Sequence, residues 1–230
     1  MHRHQSDVHP WFVESASSRT SAKRDWYVWV PVADDNATAA GPPGPPPNNW
    51  RSFFGGSAWQ FDTNTRAWYL HQYLPSQPDL NWRNPEVQAA FGDIMRFWQH
   101  RGVDGFRIDS LPTLLEHEQL ADEPPNPEWR EGMDPHDALV HLNYTQDVWP
   151  IHRLVRGLRA VADDGRSVLV CETRVRLHEL ARCVPRGFCM RCKAAAECCA
   201  CFFPRSFYGP HLHECQARAR AHACAMPRLR

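Results

Sequence analysis

A chain of 230 residues with 43% apolar content holds enough hydrophobic material for a sizeable core, which excludes a wholly disordered protein. It lacks an apolar run of about 18 residues and shows no charged-then-apolar-then-small pattern near Met1, so neither a membrane span nor a signal peptide is read and a cytoplasmic protein is expected. Net charge is zero but unevenly spread: Cys183 to Arg230 carries eight Lys/Arg against two Glu, leaving the rest acidic.

Residues 1–83 are rich in Trp, Asn, Pro and Gly and show no sustained helical period. Short strand-like pieces stand out at Trp26-Tyr27-Val28-Trp29-Val30 and Ala67-Trp68-Tyr69-Leu70, within an otherwise irregular, aromatic-lined subdomain. Gly41-Pro42-Pro43-Gly44-Pro45-Pro46-Pro47 lacks the donors for a ladder and reads as an extended surface loop. From Asn84 the pattern changes. Asn84 is suited to cap a helix, Pro85 to open it, and Val87, Phe91, Ile94 and Trp98 fall on one face until Gly102.

Val103-Asp104-Gly105-Phe106-Arg107-Ile108-Asp109 then reads as a strand with Arg107 and Asp109 on the same face. A long polar stretch over 111–149 with five prolines leads to a second helix, marked by Ile151, Leu154, Val155, Leu158 and Val161 and ending near Gly165. Ser167 to Glu172 forms a second buried strand. Helix, strand, loop, helix, strand is the grammar of a parallel sheet, and in a (β/α)₈ barrel catalytic groups sit where these strands end.

Two carboxylates, Asp109 and Glu172, end these successive strands. Facing one another at roughly 5 Å, they suit retaining glycoside hydrolysis, in which one carboxylate stays ionised and the other holds a proton. Arg107 beside Asp109 favours the charged form there, and burial after an apolar run is expected to raise the Glu172 pKa. A structural ion pair satisfies the same Arg-x-Asp spacing, and spacing alone does not choose between them. Trp11, Trp50, Trp59 and Trp68 suit either sugar stacking or core packing, whereas Glu116 reads as a solvated charge.

Several motifs in order resemble the α-glucosidase and oligo-1,6-glucosidase branch of glycoside hydrolase family 13, the α-amylase superfamily. They are His9-Pro10-Trp11-Phe12-Val13-Glu14-Ser15, Lys23 to Trp29, Pro47 to Trp59, Gln77-Pro78-Asp79-Leu80-Asn81-Trp82 and Gly105-Phe106-Arg107-Ile108-Asp109. The resemblance runs from about His4 to Arg182. It implies a partial (β/α)₈ barrel, about strands 3 to 5, with an irregular domain B insertion. It makes Asp109 the nucleophile and Glu172 the acid/base, with Arg107, His4 and Asp79 on the substrate side. Cys171 stands where glycine is usual, and Arg3 where asparagine is usual. Small Ser110 after the nucleophile accompanies α-1,4 preference in this branch. No organic cofactor and no metal ion, calcium included, is expected; the partner is an oligosaccharide, not nucleic acid and not a membrane, and the oligomeric state stays open.

The pattern stops after Arg182. None of the nine cysteines precedes Cys171, and eight lie between Cys183 and Cys224. No disulfide is needed before that point, which suits a reduced compartment. Cys189, Cys192, Cys198, Cys199, Cys201, His211, His213 and Cys215 are ligand types that zinc accepts, but the Cys189-x-x-Cys192 and Cys198-x-x-Cys201 clips stand close together and abut an apolar Phe-Phe-Pro run, so zinc is not the preferred reading. Translation out of frame beyond Arg182 accounts for the cysteine and charge jumps together, and an alternative exon or a retained intron would look the same. The expected division is therefore 1–83 (end of barrel strand 3 and domain B), 84–182 (barrel catalytic segment) and 183–230 (a non-native or disordered tail). The expected function is hydrolysis of terminal α-glucosidic bonds by a family whose copy here is truncated and inactive. The alternatives are glucosyl transfer or isomerisation, a non-catalytic barrel relative, and a zinc-binding interaction protein.

Overall fold

The computed structural model describes residues 4–32, 44–139, 144–146, 151–164 and 166–173, together with the backbone of 188–193 and 197–202. Arg3, Gly41 to Pro43 of the proline-rich loop, Leu177 to Arg182 and the remainder of the tail lie outside the described residues. Gly44 to Pro47, the end of that loop, form bends. The chain divides into two bodies, one of His2–Ala90 with Thr113–Trp149, the other of Phe91–Pro112 with Pro150–Arg230. Among the described residues no helix is long and apolar enough to cross a membrane.

The first body is built on aromatic rings. Helix α1 (Pro10–Ser15) starts where His9 Nδ1 accepts the Trp11 N–H at 3.2 Å and Pro10, which has no N–H to satisfy, takes the first turn. A single 3₁₀ turn at Arg24–Trp26 takes up the beginning of the segment expected to be strand, which leaves β1 as Trp29–Pro31. With β2 (Trp59–Asp62) and β3 (Ala67–Leu70) it forms an antiparallel sheet in the order β1-β3-β2. Trp29 lies opposite Tyr69, and Phe61 opposite Trp68.

Strand β2 escapes a sequence reading because Gly55, Gly56 and Ser57 precede it and a turn follows at once. It forms because Trp59 and Phe61, two apart, both face the core. Trp50, Trp59 and Trp68 pack in that core with Phe61 and Leu70, so these tryptophans are structural rather than sugar platforms. Trp11 is half-buried against Trp26, with ring centroids 4.7 Å apart.

The polar stretch after residue 113 belongs to this same body. Asn48 Nδ2 donates to the Leu120 carbonyl at 2.9 Å, Trp50 Nε1 to Ala121 at 2.9 Å, and Asn49 exchanges amide hydrogen bonds with Glu123. Glu123 is itself buried, and its Oε1 accepts from Tyr144 N, Thr145 N and Thr145 Oγ1. Glu116, expected to be solvated, is buried too.

Helix α2 (Pro85–Gln99) runs from one body into the other. Asn84 Oδ1 accepts the Glu86 N–H at 2.8 Å, and Gly102, at φ +84°, provides the left-handed turn that follows the helix. The buried face is Val87, Phe91 and Met95; Ile94 and Trp98, expected inside, are exposed. The i, i+4 ladder through 87, 91 and 95 won over the i, i+3 step to 94, so the apolar stripe is rotated by one position.

The second body carries the expected parallel pair. Strand β4 (Gly105–Ile108) lies beside β5 (Val168–Thr173), joined by helix α3 (Ile151–Asp164), which buries Ile151, Leu154, Val155, Leu158 and Ala162. Gly105 permits their close approach, since a Cβ there would meet the Val168 carbonyl oxygen at 2.9 Å. On the other side of β5 lies an antiparallel hairpin, β6 (Phe188–Lys193) and β7 (Glu197–Phe202), giving the order β4-β5-β7-β6. The hairpin gives the outer edge of β5 a ladder partner. The sheet is thus mixed, whereas a barrel continues with a parallel strand at that position. The segment expected to be non-native or disordered supplies this hairpin.

Candidate functional site

Parallel register sets the geometry. Arg107 pairs with Val170 and Ile108 with Cys171, so Asp109, just past the end of β4, and Glu172, near the end of β5, follow one step further at the same end of the pair. Side chains alternate across the sheet, so Ile108 and Cys171 are buried on one face while Arg107 and Glu172 share the other. Cys171, which stands where glycine is usual, therefore points away from Glu172.

Both carboxylates meet one guanidinium. Arg107 Nη1 bonds Asp109 Oδ1, and Nη2 lies 2.8 Å from Glu172 Oε2. The planar fork of arginine presents two N–H groups in directions that two separate carboxylates can share. The Glu172 side chain is 40% exposed, against 23% for Asp109, so the apolar setting expected of Glu172 is absent. The run Val168 to Cys171 that precedes it does not bury it, because side chains alternate across the strand and Leu169 and Cys171 take the buried face.

Ser110 completes the group. Its backbone is left-handed, φ +49°, rare for a residue with a Cβ, and its N–H reaches Glu172 Oε2 at 3.3 Å while its Oγ approaches Asp109 Oδ2 at 3.5 Å. Neither the Arg107–Glu172 pair nor the Ser110 N–H is readable from sequence, since both depend on the register of strands about sixty residues apart. Small size at position 110 was the only signal.

His4 and Asp79 belong to the first body, where an antiparallel bridge joins them. His4 is half-buried, its ring centroid 4.9 Å from that of Tyr73, and its Nδ1 is 3.4 Å from Gln77 Nε2. Asp79 is fully buried, and its Oδ2 accepts the Gln72 N–H at 2.9 Å. One oxygen of this enclosed carboxylate is thus taken by backbone in the loop that carries Gln77 and the bridge to His4. Nearby His71 is buried as well, which pushes its pKa down, only partly offset by the Tyr73 carbonyl 3.2 Å from Nδ1. Asn81 caps the turn before α2: its Oδ1 accepts Arg83 N at 3.1 Å.

The model of the family described as alpha amylase, catalytic domain, matches residues 1–184. A probable alpha-glucosidase of Rhizobium meliloti is 46% identical over 170 residues, covering 72% of this chain and 29% of that protein. An amino acid transporter heavy chain of Rattus norvegicus is 46% identical over 120 residues, covering 52% of this chain and 17% of that one. Among solved structures, an alpha-glucosyl transfer enzyme superposes with a TM-score of 0.63 at 39% identity, over 70% of this chain and 30% of that chain. The chain thus spans less than a third of the length of these relatives.

Proposed function

The chain belongs to the family of α-amylase catalytic domains, and from that premise we propose that it is the catalytic segment of a retaining α-glucosidase acting on terminal α-glucosidic bonds of short oligosaccharides. One observation carries the reading: two carboxylates at the ends of adjacent parallel strands, bridged by a single guanidinium. In this reading Asp109, held ionised by Arg107, attacks the anomeric carbon as the glycosidic C–O bond breaks. Glu172 passes a proton to the departing oxygen. Water then gives its proton to Glu172 while its oxygen displaces the Asp109 carboxylate, regenerating both groups. As proton donor Glu172 carries its proton on Oε1, which leaves Oε2 free to accept from Arg107. The Ser110 N–H, on the same oxygen, helps to orient it.

His4 serves as the sugar-facing group of the first body, and Asp79 acts behind it. The surrounding fold is read as strands 3 to 5 of a (β/α)₈ barrel, with 1–83 as the end of strand 3 and domain B, 84–182 as the catalytic segment and 183–230 as foreign to the barrel, in a cytoplasmic protein. The antiparallel hairpin beside β5 supports the view that the chain by itself does not turn over substrate, because it occupies the edge where barrel closure needs a parallel strand. Glucosyl transfer is the second reading, favoured by the transfer enzyme among the structural relatives; the chemistry differs only in whether water or a sugar accepts the glucosyl group.

The test is a chimaera in which residues 4–182 replace the matched segment of the Rhizobium protein, assayed on maltose. Hydrolysis that disappears in Asp109→Asn and Glu172→Gln supports the assignment. Activity that survives Asp109→Asn overturns it.

A further inference from the structure

We infer that Gln77 is a positioning residue that fixes the proton of His4 on Nε2, making that nitrogen a hydrogen-bond donor; the inference rests on the reading of His4 as the group that faces sugar. The argument starts from a donor whose identity is not in question. The Leu74 backbone N–H points at Gln77 Oε1, 3.2 Å away, and the same turn is closed by Gln77 N donating to the Leu74 carbonyl at 2.8 Å. A backbone N–H can only donate, so the atom facing it is the amide oxygen. The other end of the amide is then the NH₂ group, and it lies 3.4 Å from His4 Nδ1. An NH₂ group can only donate, so Nδ1 accepts and carries no proton. In a neutral imidazole the proton is then on Nε2.

The imidazole is held for this contact from several directions. The bridge to Asp79 fixes the His4 backbone, Gln5 N donates to the Pro78 carbonyl at 3.2 Å, and the ring rests against Tyr73. An Nε2–H donor suits a sugar hydroxyl, which accepts readily through two lone pairs. The opposite tautomer would present a bare acceptor at that position and would set two donors against each other at Nδ1.

Long-range proton–nitrogen NMR of the ¹⁵N-labelled chain, above the titration of histidine, reads the tautomer directly. The His4 ring is identified among thirteen by its loss in His4→Gln. Expected for the unaltered chain is a pyridine-type Nδ1 and a pyrrole-type Nε2. In Gln77→Glu, one carboxylate oxygen keeps Leu74 N–H and the other demands a proton from Nδ1, so the pattern inverts or the ring becomes an imidazolium. In Gln77→Ala the two tautomers mix. A pyrrole-type Nδ1 in the unaltered chain overturns the inference, even where a variant fails to fold; so does an unchanged pattern in a folded Gln77→Glu protein. A chimaera that is inactive with Gln77 in place counts against the proposed function and leaves the tautomer result standing.

Discussion

The two bodies of this molecule use polar groups in opposite ways. In the aromatic body they are enclosed and turned onto backbone: Asp79 onto Gln72, Glu123 onto Tyr144 and Thr145, Asn48 and Asn49 onto the 120–123 segment. In the βα body the charged residues of the site stand at or near the strand ends and bond chiefly to one another. Irregular chain, with few ladder bonds of its own, must satisfy its backbone with side chains. A strand pair satisfies its backbone through the ladder and leaves its end residues available for chemistry. Substitution in the first body should therefore cost folding, and in the second, chemistry.

The largest expected effect is that of Trp50→Ala. Trp50 is 1% exposed, stacks on Trp59 with centroids 5.9 Å apart and donates to Ala121. Its loss should cost about 3–5 kcal/mol, the range for large aromatic truncations in cores. Urea unfolding followed by tryptophan fluorescence checks this; a loss under about 1 kcal/mol would break the comparison. Next comes Glu123. Removing its carboxylate in Glu123→Ala strands two buried donors of Thr145 and the part-buried N–H of Tyr144, at about 1–3 kcal/mol each as an upper bound, since relaxation and water recover part. Glu123→Gln keeps an acceptor oxygen and should lose clearly less. Equal losses in the two variants would mean that the loop needs the charged carboxylate itself, because glutamine keeps the shape and one acceptor oxygen.

A smaller effect follows from His71. Burial depresses its folded-state pKa below the ordinary 6.5, so under acid the unfolded chain binds a proton that the folded chain refuses. The stability associated with this neutral histidine is complete above the unfolded value and is lost as pH falls through 6.5 toward the folded value. The slope contributed by one such group is at most about 1.4 kcal/mol per pH unit. Urea midpoints between neutral and mildly acid pH should fall, and His71→Gln should flatten the dependence. His9 shifts in the same direction for the same reason, so the slope should shrink further in the double variant with His9→Gln.

The βα body was more legible in sequence than the aromatic one. Both of its helices and both strands of its parallel pair can be drawn from apolar period and caps, because a helix or buried strand writes its environment into residue spacing. Even there the α2 stripe is rotated toward Met95, since a one-position shift leaves the composition of the window unchanged. In the aromatic body, ring placement followed composition but partners did not. Nothing in the segment from Leu120 to Glu123 announces that Asn48, Asn49 and Trp50 will hold it. The buried state of Glu116 and Glu123 is equally invisible, because a carboxylate satisfied from afar looks like a solvated one. At the site, Asp109, Arg107 and Glu172 were legible as strand-end residues, and their union through one guanidinium was not, because register is a property of two strands and a sequence shows one at a time.

Arg107→Lys sharpens the contrast at its lower end. The arginine side chain is 54% exposed, so its two ion pairs are screened and should contribute no more than about 1 kcal/mol to folding. A lysine keeps the charge but offers a single ammonium that cannot span Asp109 and Glu172 as two guanidinium nitrogens do. One carboxylate should then drift from its position, and misplacement on the scale of 1 Å costs about 100-fold in rate. The chain carrying Arg107→Lys should therefore unfold at nearly the same urea concentration as the parent, while the chimaera carrying it loses most of its maltose hydrolysis in kcat. A large drop in stability with activity preserved would reverse the roles of the two bodies, making the guanidinium bridge a structural pair of the kind that the Arg-x-Asp spacing also permits.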